Sequence, residues 1–173
     1  MADFSKKRTI RVTCPFGMSK HLETEIRDLG FTPKTVSDTG IELSASLNET
    51  IKLNYWLRTA HRIHALIAET RFKNPDDLKD WLRDIPWEDW IESDGYFSVT
   101  CRVDHPDIEN SQFANLITKD AIVDRMRSVG DERPDTGSNL DKTVLFLYWN
   151  DEVARIFVDT SGESLSRRNY RTD

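Results

Sequence analysis

The sequence predicts an α+β protein built from two subdomains, and three observations lead there. Apolar residues recur at period two and at helical spacing in alternating stretches, in the order β-α-β-β-α-β over residues 8–72. A different order, α-α-β-α-β-β, follows over residues 73–160, so the chain is not a simple repeat. At 173 residues, 38% of them hydrophobic and five of them tryptophan, the chain is long enough for two small packed cores.

The first stretch begins with an alternation from Thr9 to Cys14, where Ile10, Val12 and Cys14 share one side, and Pro15 ends it. Met18, Leu22, Ile26 and Leu29 then follow helical spacing up to a glycine cap at Gly30. A short strand is expected near Lys34–Ser37. The turn Asp38-Thr39-Gly40 leads from it into Ile41, Leu43 and Ala45. Ser46 and Glu49 have capping-box spacing ahead of a second helix holding Ile51, Tyr55, Trp56 and Leu57. His61–Phe72 reads as a strand, apolar on both faces from Ile63 to Ala68 and therefore central. Two helices over one face of four antiparallel strands is the ferredoxin-like arrangement.

The second stretch opens at Asn74-Pro75, a helix N-cap with proline at the first position. Leu78, Trp81, Leu82 and Ile85 form its apolar stripe. Beyond Pro86, Trp87, Trp90 and Ile91 suggest another short helical turn. Tyr96–Val103 alternates, with Phe97, Val99, Cys101 and Val103 inward. Ser111 can cap a long helix to about Val129, stopped by Gly130. Residues 131–141, with Pro134 and Gly137, read as an exposed loop. Thr143–Trp149 and Glu152–Thr160 form a hairpin around Asn150-Asp151. No low-complexity tract separates the halves, which are expected to pack together.

Composition narrows the function classes. No apolar run approaches the roughly 20 residues a membrane span needs, and the N-terminus lacks the apolar stretch of a signal peptide. The two cysteines, Cys14 and Cys101, lie far apart in strand-like stretches and read as buried reduced thiols. A cytoplasmic protein is expected. Net charge is −6, yet residues 74–94 hold eight acids against Lys79 and Arg83, so this one segment accounts for the whole excess. Lys6, Lys7, Arg8 and Arg11 make the front basic, and Arg167, Arg168 and Arg171 do the same for the back. A polyanionic partner is therefore restricted in the faces it can meet, not excluded.

Several stretches along the chain resemble a known family. Asn110-Ser111-Gln112-Phe113-Ala114 with Lys119-Asp120-Ala121-Ile122-Val123-Asp124-Arg125 is similar to the central helix of THUMP domains fused to bacterial guanine-N2 ribosomal RNA methyltransferases. Cys14-Pro15-Phe16-Gly17 and Leu57-Arg58-Thr59-Ala60-His61-Arg62 match at the front, and the stretch from Val158 to Arg171 resembles the segment that joins THUMP to the methyltransferase. The resemblance implies an N-terminal ferredoxin-like domain over residues 8–72, a THUMP core over 73–160 and a linker over 161–173. It also implies binding to structured RNA, large-subunit ribosomal RNA in this family, for a covalently linked methyltransferase domain. The chain departs from the whole enzyme in two ways: no glycine-rich loop follows a strand to cradle S-adenosylmethionine, and no Asn/Asp-Pro-Pro-aromatic motif is present. No catalytic residue and no cofactor are assigned to this chain, and S-adenosylmethionine is expected on the missing domain.

Candidate RNA contacts follow from the residue types. Asn110, Ser111 and Gln112 would set amide donors at a helix N-terminus, while Lys119, Arg125 and Arg127 lie on polar positions of the same helix. Local pairing of those bases with Asp120 and Asp124 competes with this reading. Arg167, Arg168 and Arg171 carry forks suited to phosphate, and Tyr170 can stack on an unpaired base; the same segment reads first as a strap pairing with the next domain, with RNA contact second. Lys6, Lys7, Arg8 and Arg11 form a basic arm that reads first as a solvated, frayed end and second as an RNA contact. Trp81, Trp87 and Trp90 sit among acids that repel phosphate. They suit core packing, or an alternative function in which segment 74–94 docks another protein. No metal site is expected, since His61 and His64 point to opposite faces of a strand and His21 and His105 lie elsewhere.

Overall fold

A computed structural model describes residues 2–71, 76–105, 111–130, 133–150 and 153–167. The predicted cap at Asn74-Pro75 and part of the Asn150-Asp151 turn lie outside these residues. The chain divides into two compact units, one of Asp3–Leu66 with the chain from Asp159 onward, the other of Ile67–Val158 with the extreme N-terminus.

In the N-terminal unit the elements are β1 (Arg8–Thr13), α1 (Ser19–Asp28), β2 (Pro33–Ser37), β3 (Gly40–Ala45), α2 (Leu47–Trp56) and the first half of β4 (Arg62–Thr70). The strand order is β2-β3-β1-β4. β1 pairs antiparallel with both β3 and β4, so Ile10 lies between Leu43 and Ala65, and Val12 between Ile41 and Ile63. Those residues are buried together with Leu22 and Ile26 of α1 and Leu53 of α2. The chain turns where the sequence predicts. Gly30 has a left-handed φ of 84°, and Phe31 N–H donates to Ile26 O at 3.1 Å to close the helix end. Gly40 begins β3 so close to β1 that a Cβ would sit 2.6 Å from Val12 O. The capping box forms, with Ser46 and Glu49 each accepting from the other's backbone amide.

The second helix holds Ile51, Tyr55 and Trp56 as expected, with Leu57 as its C-cap. It buries Leu47, Thr50 and Leu53, while Ile51, Tyr55 and Trp56 face outward at 69%, 73% and 60% exposure. Apolar residues surround α2 on nearly every side, so composition could not tell its inner stripe from its outer one.

The C-terminal unit contains α3 (Asp77–Asp84), a 3-10 turn at Trp87–Asp89, β5 (Tyr96–Asp104), α4 (Ser111–Val129), β6 (Asp135–Gly137), β7 (Thr143–Asn150) and β8 (Ala154–Asp159). Here the strand order is β8-β7-β5-β6. β5 pairs parallel with β7 from Phe97↔Thr143 to Asp104↔Asn150, with α4 in the connection between them. The expected exposed loop at 131–141 contains a short strand instead, with Tyr96↔Asp135 through Ser98↔Gly137 in parallel register. Asp-Thr-Gly has no apolar alternation to announce a strand; pairing with β5 supplies what propensity does not. The short helical turn expected beyond Pro86 is a 3-10 turn at Trp87–Asp89. Trp87 within it is fully buried and donates its indole N–H to Leu82 O at 2.7 Å, while Trp81 and Trp90 pack partly buried on the same core.

Candidate nucleic-acid interface

The long helix α4 was expected to gather the cations, and its geometry separates them. At about 100° per residue, Lys119 and Arg127 differ by about 80° around the axis, and Arg125 stands about 160° from Arg127. Buried Ala114, Thr118, Ala121, Ile122 and Met126 hold the inner side of α4. Arg125 is committed: it grips Glu88 with Nη2 to Oε1 at 2.6 Å and Nε to Oε2 at 3.3 Å. The side-chain hydrogen bond from Arg125 holds the Glu88 carboxyl below its ordinary value, and the same bond raises the guanidinium. Lys119 is half-buried, its Nζ 3.4 Å from Gly137 O of the unexpected strand β6. Of these three, Arg127 is exposed and the other two are half-buried. The local pairing anticipated for Asp124 takes a non-local form, with Lys79 of α3 at 3.1 Å.

Ser111 and Gln112 are exposed in the first turn of α4. Beside them lie two side chains the sequence reading passed over, Phe113 and Leu116, both exposed. An open depression of about 560 Å³ adjoins this turn, lined by Ser111, Gln112 and Asn115 on the helix and Thr100 and Cys101 on β5. Asn115 Nδ2 donates to Val99 O at 2.5 Å and so fixes the turn against that strand. Burial pushes the Cys101 thiol up to about 12, which removes it as a nucleophile, and burial raises the Cys14 thiol too. The signal for Phe113 was available, since an aromatic residue one turn from a polar cap has a side chain to place somewhere. Nothing in a single sequence says that the place is outside.

The basic front is not a free arm. Arg8 and Arg11 lie within β1, Lys7 pairs with the capping-box carboxylate of Glu49, and Arg8 donates to Asp3 O at 3.2 Å and to Leu66 O at 3.4 Å. At the other end Arg167 is exposed in a 3-10 turn at Leu165–Arg167. Asn110, Arg168, Tyr170 and Arg171 lie outside the described residues. Among the described residues no cluster of three or more His, Cys, Asp or Glu side chains could hold a metal ion, and no helix is long and apolar enough to cross a membrane.

The return of the chain into the N-terminal unit is strongly built. Arg62 Nη1 reaches Asp159 Oδ2 at 2.5 Å and also donates to Gly162 O at 3.0 Å. Ile63 N–H donates to Ser161 Oγ at 2.7 Å, and Leu165 N–H to His61 O at 2.9 Å.

Comparison with known proteins adds the family. Residues 72–159, just over half of the chain, match the family model described as THUMP domain. The chain belongs to the THUMP domain family. Ahead of the THUMP match, residues 9–64 match a second model, the RlmL ferredoxin-like domain. The ferredoxin-like and THUMP fold expectation therefore holds. Among curated relatives, a ribosomal RNA large subunit methyltransferase K/L from Marinomonas sp. is 30% identical over 96% of this chain. One of the same description from Psychrobacter sp. is 33% identical over 98% of it. The THUMP-containing chain spans only 23% and 22% of those two relatives. A solved structure described as a possible methylase from Clostridium difficile 630 superposes with TM-score 0.81 at 28% identity, covering 97% of this chain and 45% of that one.

Proposed function

We propose that this chain is the RNA-binding region of a ribosomal RNA methyltransferase and presents structured large-subunit RNA to a catalytic domain that lies outside it. The observation that carries the reading is the THUMP match over 72–159 inside relatives described as large-subunit methyltransferases, of whose length the chain covers under a quarter. In this reading residues 8–72 and 73–160 are the ferredoxin-like and THUMP domains, and 161–173 lead toward the catalytic domain. S-adenosylmethionine belongs on that domain, which transfers its methyl group to a guanine N2 as the family resemblance implies.

Within the chain, the first turn of α4 is the RNA contact we favour. The N-terminal end of a helix attracts phosphate, Ser111 and Gln112 add polar groups, and exposed Phe113 offers a face on which an unpaired base can stack. On the same helix Arg127 adds a cation and Lys119 contributes less; Arg167, Arg168, Tyr170 and Arg171 are further RNA contacts proposed on their residue types alone. Arg125 ties α4 to the 3-10 turn at Trp87–Asp89 through Glu88 and contributes less than its charge suggests. The inward packing of Trp81, Trp87 and Trp90 supports RNA binding over the alternative of a tryptophan-lined docking face at 74–94.

Fluorescence anisotropy with a structured ribosomal RNA fragment at low salt tests this. The expected outcome is binding that survives competition by heparin, with Phe113→Ala weakening it about 5-fold or more, the range of one lost stacking contact. Binding that heparin removes as readily as RNA does, or a Phe113→Ala chain with unchanged affinity, would count against the module and the site respectively.

A further inference from the structure

We propose that the outward face of α2 is the seat of the polypeptide domain that follows this region in the longer protein, docked through an apolar surface. The inference rests on the reading above that the chain is one part of a multidomain methyltransferase.

The face is contiguous. Ile51 and Tyr55 are one helical turn apart, Tyr55 and Trp56 meet edge-to-face with ring centroids 5.2 Å apart, and Phe4 lies exposed on the same groove. The groove is open and large, about 1330 Å³, with Leu29 and Leu47 also in its lining. Isolated exposed apolar side chains are ordinary, but a continuous patch containing two aromatics marks a surface that meets a partner.

The partner is a protein surface, because the groove is poorly suited to phosphate. Glu25 and Asp28 line it. Of its nearby cations, Lys52 Nζ donates to Leu29 O at 2.9 Å, and exposed Arg58 stands beside Glu25, its Nε 3.8 Å from Oε1.

The identity of that protein follows from where the chain runs. Asn54 Nδ2, on α2 itself, donates to Thr160 Oγ1 at 3.0 Å, and Leu165 N–H is tied to His61 O. Asn54 and Thr160 line both the large groove and a second depression formed by Ser161, Ser164 and Arg167. The polypeptide leading out of the unit is thus fastened to the very helix whose outward apolar face is exposed. Whatever is linked beyond it is held there at high effective concentration, so even a modest apolar interface is occupied. The curated relatives have more than three quarters of their length outside the matched region, ample for such a domain.

Hydroxyl-radical labelling read by mass spectrometry tests the seat, with the dose set by an added reporter peptide. Tyr55 and Trp56 are compared in this chain alone, in this chain with a ribosomal RNA fragment, and in the natural reading frame continued past Asp173. The expected result is labelling at least 5-fold slower in the longer polypeptide and unchanged by RNA. The double variant Ile51→Glu/Trp56→Glu, both at surface positions, should keep the urea midpoint of this chain. In the longer polypeptide it should restore fast labelling of Tyr55 and speed tryptic cleavage after Arg167 at least 5-fold. Equal labelling in the longer polypeptide overturns the proposal. So does protection by RNA, protection that grows with concentration of this chain alone, or a frame that holds no further domain. RNA affinity measured on the same samples reports on the RNA-binding reading separately, and a chain that fails to bind RNA while Tyr55 and Trp56 are covered would sink that reading and leave the seat standing.

Discussion

Asp159 and Trp87 concentrate much of the structural consequence of single side chains. Burial pushes the Asp159 carboxyl up, but His64, the Ser161 amide and Arg62 together outweigh it, so its pKa lies below the ordinary 3.8. A depressed carboxylate stabilises the folded state at every pH above its unfolded value and loses that contribution as pH falls through the folded one. Asp159→Asn should therefore be less stable than wild type above about pH 5, with the gap closing below pH 3.8, the ordinary value. Urea midpoints measured from pH 7 to pH 2.5 check this, and a gap constant across the range would show that the charge contributes nothing. Trp87 makes a different case, a fully buried ring whose indole N–H is satisfied by Leu82 O. Trp87→Ala leaves a large cavity, and about 3–5 kcal/mol of lost stability is expected in equilibrium urea unfolding.

Elements were legible where the local pattern and the tertiary environment demand the same thing. Ile10 and Val12 alternate because one side of β1 is buried, and Gly30 ends α1 because only a left-handed turn lets Phe31 reach Ile26 O. The capping box of α2 belongs to this class. Ser46→Ala removes an acceptor from Glu49 N–H and frees the Glu49 carboxylate, and about 1 kcal/mol of lost stability is expected, read as a lowered thermal midpoint. Glu49 titrates down to about 2, first because Lys7 donates to it and next because the Ser46 amide does, so the box persists in mild acid. What stayed hidden was set by long-range partners. Strand β6 exists because β5 accepts it, the pairing of Arg125 with Glu88 joins positions far apart in sequence, and the choice of Leu53 over Ile51 as the inward residue of α2 is made by the sheet. In the candidate site, Lys119 and Arg125 sit on one helix, but their partners Gly137 and Glu88 come from other elements and could not be read from the helix alone.

At the scale of the whole molecule, charge is divided unequally. Asp3–Leu66 with residues 159–173 holds 13 Lys and Arg against 10 Asp and Glu, whereas Ile67–Val158 holds 11 against 20. The unit matched by the THUMP model is thus strongly acidic, and any affinity for a polyanion must come from a few local cations working against a repulsive background. Each phosphate neutralised by Lys or Arg releases about 0.7–0.9 counterions, so the slope of log K against log salt counts the contacts. The repulsive background also weakens as salt rises, which flattens the slope and makes a shallow net dependence, nearer about −2 to −4 than that of a strongly basic binder, the expected outcome. Variants separate the cations. Arg127→Ala should lower affinity and reduce the slope magnitude by about 0.7–0.9, because an exposed guanidinium leaves a phosphate when it is lost. Arg125→Ala should change the slope less and the urea midpoint more, since its loss leaves Glu88 without its guanidinium partner between α4 and the Trp87 turn. Anisotropy titrations from 50 to 300 mM salt, paired with unfolding curves for both variants, read the two effects independently. If Arg125 instead dominates the slope, its pairing with Glu88 opens on binding, and the RNA contact on α4 lies on the Arg125 side of the helix.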